Sequence, residues 1–142
     1  MNKANWTLLA ISLGGDEGLT PAQLQKVLFL MGTTYPKTLG EFYNFKPYNY
    51  GPFDKQIYLD AEALATDGLI EIVARDGNTW PYYCIREKGR ESAKALIENE
   101  DTRPVSYMAK TVKWAQSLTF GQLVSSIYEK YPDYKVNSVF RG

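Results

Sequence analysis

The residue types that most often carry catalysis are scarce in this sequence. No histidine occurs among its 142 residues, which removes the commonest general base and the commonest metal ligand. The single cysteine, Cys84, has no possible histidine partner and rules out an internal disulfide or a multi-cysteine metal site. Its place between Tyr83 and Ile85, in an apolar strand pattern, predicts a packing role.

Paired carboxylates could do acid–base chemistry or hold a hard cation, and four acids lie close together in the third predicted helix. They are Asp54, Asp60, Glu62 and Asp67. On an ideal helical wheel they spread over more than half of the circumference, which is typical of a solvated face. No phosphate-binding glycine motif follows Gly14-Gly15. We therefore expect no catalytic residue, no metal site and no cofactor.

The charge balance bears on nucleic-acid binding. Sixteen basic residues balance sixteen acidic ones, whereas phosphate contacts usually require a basic surplus. The third predicted helix carries its four acids against one base, Lys55, so it would repel a DNA backbone. DNA binding remains an alternative through basic residues elsewhere, and the candidates are Arg75, Arg86, Lys110 and Lys113.

Aromatic residues make up 14% of the chain, and a run of them between Phe42 and Phe53 could supply anchors for a protein partner. On the wheel of the third helix, Leu59 falls opposite the face that Phe53 and Leu64 share. The candidate partner-binding residues are therefore Tyr48, Tyr50, Phe53, Lys55, Leu59 and Glu62. Two alternatives stay open: the C-terminal helices could cover these side chains, or the C-terminal helices could form the contact surface of a homodimer.

Hydrophobic periodicity and capping signals predict one domain, with a core over 1–100 and a helical extension over 101–142. Both Thr20-Pro21-Ala22-Gln23 and Thr119-Phe120-Gly121-Gln122 have the spacing of a capping box at a helix start. The predicted helices cover 6–13, 20–35, 53–67 and 87–98, followed by two in the tail. One short strand is expected within 37–51, and a hairpin over 69–86 turns at Asp76-Gly77-Asn78.

This order and two local patterns resemble winged-helix regulators. Leu64-Ala65-Thr66-Asp67-Gly68-Leu69-Ile70 is similar to the junction where their third helix enters the wing, with Gly68 permitting a left-handed exit. Tyr83-Cys84-Ile85-Arg86-Glu87-Lys88-Gly89 resembles their wing exit, with Ile85 and Arg86 where those proteins usually carry leucine and threonine. The resemblance implies an α+β, winged-helix-like fold with additional C-terminal helices.

A narrower pattern covers roughly residues 19–70. The helix segment Leu24-Gln25-Lys26-Val27-Leu28-Phe29-Leu30, followed by the turn Tyr50-Gly51-Pro52-Phe53, resembles the Panacea (SocA-like antitoxin) group of small prokaryotic proteins. The resemblance implies an antitoxin-like or adaptor-like module, in a prokaryote or its phage, that binds a protein partner. It carries over no catalytic residue.

The chain begins without a basic segment and a long apolar run, so no signal peptide is expected. It also lacks an apolar stretch of about 18 residues, the length that would suggest a membrane span. These two observations predict a cytoplasmic protein without a membrane partner.

Overall fold

The computed structural model describes residues 1–141. In that range the chain is an α+β protein with seven α-helices, a short 3-10 turn over Pro132–Lys135 and two separate two-stranded antiparallel sheets. The helices are α1 (Lys3–Leu13), α2 (Pro21–Thr34), α3 (Pro36–Leu39), α4 (Gln56–Thr66), α5 (Glu87–Ile97), α6 (Thr102–Gln116) and α7 (Phe120–Lys130). The strands are β1 (Lys46–Tyr48), β2 (Gly51–Phe53), β3 (Ile70–Val73) and β4 (Tyr82–Ile85).

Both predicted capping boxes are confirmed. At the start of α2, Gln23 N–H donates to Thr20 Oγ1 at 3.2 Å and Thr20 N–H donates to Gln23 Oε1 at 2.9 Å. Thr119 and Gln122 make the same exchange at the start of α7. Helix α1 begins three residues earlier than predicted, because Asn2 and Asn5 form a further reciprocal cap.

The segment between α2 and α4 differs from the prediction. It contains the one-turn helix α3 and a complete hairpin, in which β1 pairs with β2 from Lys46 opposite Phe53 to Tyr48 opposite Gly51. Because Phe53 is paired in β2, α4 starts at Gln56 rather than at Phe53. Asp54 supplies the turn between them: its Oδ1 accepts a hydrogen bond from Gln56 N–H at 2.9 Å.

The second hairpin lies where the sequence predicts it, with shorter strands. Gly68 leaves α4 with a φ of +76°, which confirms the left-handed exit expected from the sequence. Strand β3 then pairs with β4 from Ile70 opposite Ile85 to Val73 opposite Tyr82. A third segment joins this sheet, because Leu19 and Tyr83 exchange two backbone hydrogen bonds of 3.0 and 2.7 Å.

The C-terminal helices contribute to the core. Helix α6 packs along α2, and Met108 and Val112 belong to the same buried cluster as Trp6, Leu28 and Ile57. Helix α2 is enclosed along most of its length by α1, α6, α7 and β2. Residues 101–141 are therefore part of the structure that buries α2.

Candidate aromatic cleft and adjoining surface

Three of the predicted partner-binding residues, Tyr48, Tyr50 and Phe53, lie together on an open cleft of about 570 Å³. We call it the aromatic cleft. It lies between the β1–β2 hairpin, the starts of α2 and α7, and the loop that precedes β4. Its lining residues are Pro21, Ala22, Lys26, Tyr48, Asn49, Tyr50, Gly51, Phe53, Tyr58, Thr79, Trp80 and Phe120. This volume is within the range typical of small-molecule sites.

Two pairs of stacked rings contribute to the lining of the cleft. Tyr48 stacks on Phe53 with ring centroids 4.7 Å apart and an interplanar angle of 26°. Trp80 stacks on Phe120 with centroids 5.5 Å apart and an angle of 27°. Tyr50 meets Phe120 edge to face, which joins the hairpin to α7. The cleft is thus bounded by flat apolar surfaces from three distant parts of the chain.

Lys26 contributes the one charged side chain among the described lining residues, and it is only 4% exposed. None of the ion pairs between described residues includes it. Burial alone lowers the pKa of its ammonium group to about 8. Its side chain passes Gly51: a β-carbon placed on that glycine would lie 3.7 Å from Lys26 Cε.

The neighbour of Lys26 explains how the hairpin is held against α2. The Gln25 side chain donates to Asp54 O at 2.9 Å and accepts from Asp54 N–H at 3.0 Å. This two-bond pairing fixes the end of β2 against the helix, and Leu24 and Val27 anchor the helix itself in the core. The residues that flank Lys26 in the chain are therefore fixed, Gln25 by hydrogen bonds and Leu24 and Val27 by packing in the core.

The outward face of α4 adjoins the cleft through an edge-to-face contact between Phe53 and Tyr58, whose ring centroids are 5.5 Å apart. Lys55, Leu59 and Glu62 are all exposed, as the helical wheel predicts, and Leu59 keeps 45% of its surface. We call the six residues Tyr48, Tyr50, Phe53, Lys55, Leu59 and Glu62 the hairpin–helix surface. The C-terminal helices do not cover Leu59, and they cover Tyr50 only in part, through Phe120.

The four carboxylates of this region do not form a common site. The Oδ2 of Asp60 accepts a hydrogen bond of 2.6 Å from Tyr43 Oη, and its Oδ1 accepts one of 2.9 Å from the Gln56 amide. Tyr43 also pairs with Thr7 Oγ1 at 2.7 Å, which links α4 to α1. Burial and the adjacent Asp60 carboxylate raise the pKa of the Tyr43 hydroxyl. We call this the Tyr43–Asp60 network.

The other three acids, Asp54, Glu62 and Asp67, take no part in the Tyr43–Asp60 network. Asp54 accepts from two backbone N–H groups, those of Asn44 and Gln56, while Glu62 and Asp67 are exposed. No group of three or more residues from among Asp, Glu, Cys and His in residues 1–141 is arranged to hold a metal ion.

The basic residues proposed for DNA binding are dispersed. Arg75 is occupied, with its guanidinium carbon 3.9 Å from the centroid of the Tyr82 ring and Nη2 3.5 Å from Cys84 Sγ. Arg86 is exposed at the start of α5 and makes no side-chain cap there. Lys110 and Lys113 are exposed on α6, and Lys110 lines a second, smaller cavity with Trp114. No described cavity brings these two pairs of residues together.

Cys84 lies in β4 and is half-buried. Burial is the main cause that raises the pKa of its thiol, which makes it a poorer nucleophile near neutral pH.

Sequence reasoning did not include Lys26, Trp80 or Phe120 among the site residues. A signal for Lys26 was present, because the run from Leu24 to Met31 is apolar except for Gln25 and Lys26. A helical segment that is apolar on nearly all sides is buried, so the few polar residues within it are buried as well. No comparable signal exists for Trp80 and Phe120, which are 40 residues apart in the sequence and meet only in the fold.

Comparison with known proteins adds no family assignment: no protein-family model matches the chain, and no curated protein shows significant similarity to it. Within residues 1–141, no helix combines the length and the apolar character needed to cross a membrane.

Proposed function

We propose that this chain is a winged-helix protein that binds a protein partner, as an antitoxin or adaptor does, through the hairpin–helix surface. The observation that carries the proposal is the exposure of large apolar side chains there: Tyr48 at 51%, Tyr50 at 42% and Leu59 at 45%. Aromatic anchors beside an apolar patch are typical of the centres of protein interfaces. The resemblance of residues 19–70 to the Panacea group supports the same class of partner.

The order of elements supports the winged-helix part of the proposal. Helices α1, α2 and α4 would be the three helices of that fold, and β3 and β4 would form the wing. The Leu19 segment between α1 and α2 pairs with β4, which adds a third segment to the wing sheet. Helix α3 and the β1–β2 hairpin would then be an insertion between the second and third helices.

DNA binding is the weaker candidate because of the charges around α4. The helix that would enter the major groove exposes Glu62, with Asp67 exposed at its end, against Lys55 at its start. Arg75, one of the two candidates near the second hairpin, is already stacked on Tyr82. These positions favour a protein partner over a polyanion.

The proposal is tested by affinity capture from the native host, with nuclease treatment, using the wild-type protein and two variants. Leu59→Asp places a charge in the proposed surface, and Ile97→Asp is the matched control, because Ile97 is a comparably exposed aliphatic residue at the end of α5. We expect a stoichiometric protein partner that is kept by Ile97→Asp and weakened at least tenfold by Leu59→Asp. Equal capture by both variants would overturn the assignment of the surface. Nuclease-sensitive recovery of DNA alone, lost as salt rises, would overturn the protein-binding function and favour a regulator.

A further inference from the structure

We propose that the aromatic cleft is a binding site for a small planar aromatic monocarboxylate, whose carboxylate group pairs with the ammonium group of Lys26. This inference does not depend on the proposed protein partner. The cleft shares Tyr48, Tyr50 and Phe53 with the hairpin–helix surface, whereas Leu59 and Glu62 on the outer face of α4 do not line it.

The charge of Lys26 gives the first step of the argument. The Lys26 residue is only 4% exposed, so burial removes much of the hydration of its ammonium group, and no carboxylate among the described residues compensates the charge. Desolvation is also the sole cause that lowers its pKa. Because Lys26 lines the open cleft, an anion that enters the cleft would supply the partner that the described residues do not.

The number of charges selects the kind of anion. Lys26 is the one ionisable cation among the described lining residues, and Arg75 on the wing is directed to Tyr82 and Cys84 instead. A single lysine balances one negative charge, which suits a carboxylate. A phosphate, with nearly two charges and three acceptor oxygens, usually recruits arginines or several backbone N–H groups.

The side chains that line the cleft indicate the uncharged part of the ligand. The Tyr48–Phe53 and Trp80–Phe120 pairs present flat surfaces, on which an aromatic ring can stack. Thr79 and Asn49 also line the cleft and supply polar groups that can orient the ligand. A single-ring or double-ring acid would fit comfortably within about 570 Å³.

The test is isothermal titration calorimetry of the purified protein with phenylacetate, with the neutral isostere phenylacetamide, and with phenyl phosphate. We expect phenylacetate to bind at least tenfold more tightly than phenylacetamide. The preference should disappear in Lys26→Met, which keeps an unbranched chain as far as the ε position and removes the charged ammonium group. Lys46→Met is the matched control, since Lys46 is exposed on β1 and does not line the cleft, and it should bind as the wild type does.

Two further readouts separate this site from an incidental hydrophobic cavity. Phenylacetate binding at pH 8.5 should be accompanied by proton uptake, because pairing with a carboxylate returns Lys26 to its charged form. Trp80→Ala should weaken phenylacetate and phenylacetamide alike, since both would stack on that ring. Leu59→Asp should bind phenylacetate normally, so a failure of the proposed protein interface would leave this result intact.

Three results would overturn the proposal: equal affinities for phenylacetate and phenylacetamide, an undiminished preference in Lys26→Met, or no binding of any probe at millimolar concentration. Tighter binding of phenyl phosphate than of phenylacetate would overturn the choice of a monocarboxylate.

Discussion

The Tyr43–Asp60 network and the Lys26 end of the aromatic cleft both place polar side chains inside the protein, but their hydrogen bonding differs. In the network, Asp60 accepts from Tyr43 and Gln56, and Tyr43 also pairs with Thr7. In the cleft, Lys26 has no carboxylate partner among the described residues, and the walls around it are mostly rings. The first group of polar atoms is satisfied within the chain, and the second is not.

The difference indicates what each region is for. A satisfied buried network joins elements and stabilises one arrangement, here α4 against α1. An unpaired buried cation costs free energy in the empty protein, and a ligand that pairs with it recovers part of that cost. A carboxylate such as Asp60, which from the sequence could belong to a chemical site, is thus structural, whereas a lysine in an apolar helix marks the candidate site.

The largest effect is expected from breaking the network. Asp60→Leu removes the acceptor and leaves the Tyr43 hydroxyl and the Gln56 amide short of a partner, so we expect a loss of about 3 kcal/mol in the free energy of unfolding. Urea denaturation followed by circular dichroism measures it. The exposed neighbour Glu62 provides the control, because Glu62→Leu should change stability by less than about 0.5 kcal/mol. Similar effects of the two substitutions would contradict a structural role for Asp60.

An effect of opposite sign is expected in the cleft. Lys26→Met removes an unpaired buried charge, so it should stabilise the ligand-free protein at pH 7 by about 2 kcal/mol. The pKa of Lys26 falls from 10.5 in the unfolded chain to about 8 in the folded one. The free-energy cost of burying the charged Lys26 is therefore full below about pH 8 and declines as the pH rises from about 8 toward 10.5.

The stability advantage of Lys26→Met over wild type should accordingly shrink between pH 7 and pH 9.5, as measured by urea denaturation at each pH. Lys46→Met, which alters an exposed lysine, should show no such change with pH. A destabilised Lys26→Met protein at pH 7 would show that Lys26 has an internal partner and would remove the contrast between the two regions.

The smallest effect on stability is expected at the rim of the cleft. Tyr48 is 51% exposed, so Tyr48→Ala should change the free energy of unfolding by less than about 1 kcal/mol, most of it from the lost stacking on Phe53. Binding of a captured protein partner should nevertheless fall at least fivefold, which surface plasmon resonance would measure. A large loss of stability with unchanged binding would assign Tyr48 to the fold instead.

Local signals allowed the sequence to predict most of the elements. Capping boxes at Thr20 and Thr119 fixed two helix starts, Gly68 fixed the exit from α4, and the Asp76-Gly77-Asn78 turn placed the second hairpin. Helical periodicity placed Leu59 opposite the buried face of α4, and the structure decided that the C-terminal helices leave it exposed. The sequence predicts one strand where the structure has the β1–β2 hairpin, because the prolines and aromatics there carry no alternating pattern. For the same reason it predicts a start of α4 at Phe53, three residues before the observed start at Gln56.

The candidate site was decided by tertiary structure. Residues from α2, the β1–β2 hairpin, α4, the loop before β4 and α7 form the aromatic cleft, and nothing in their spacing along the sequence predicts that they come together. The unpaired state of Lys26 is likewise a property of its surroundings, since it depends on which residues are absent around the ammonium group after folding. The sequence determined which elements form, through interactions within a few residues. Packing between distant elements determined which polar groups of the described residues find a partner inside the chain and which do not.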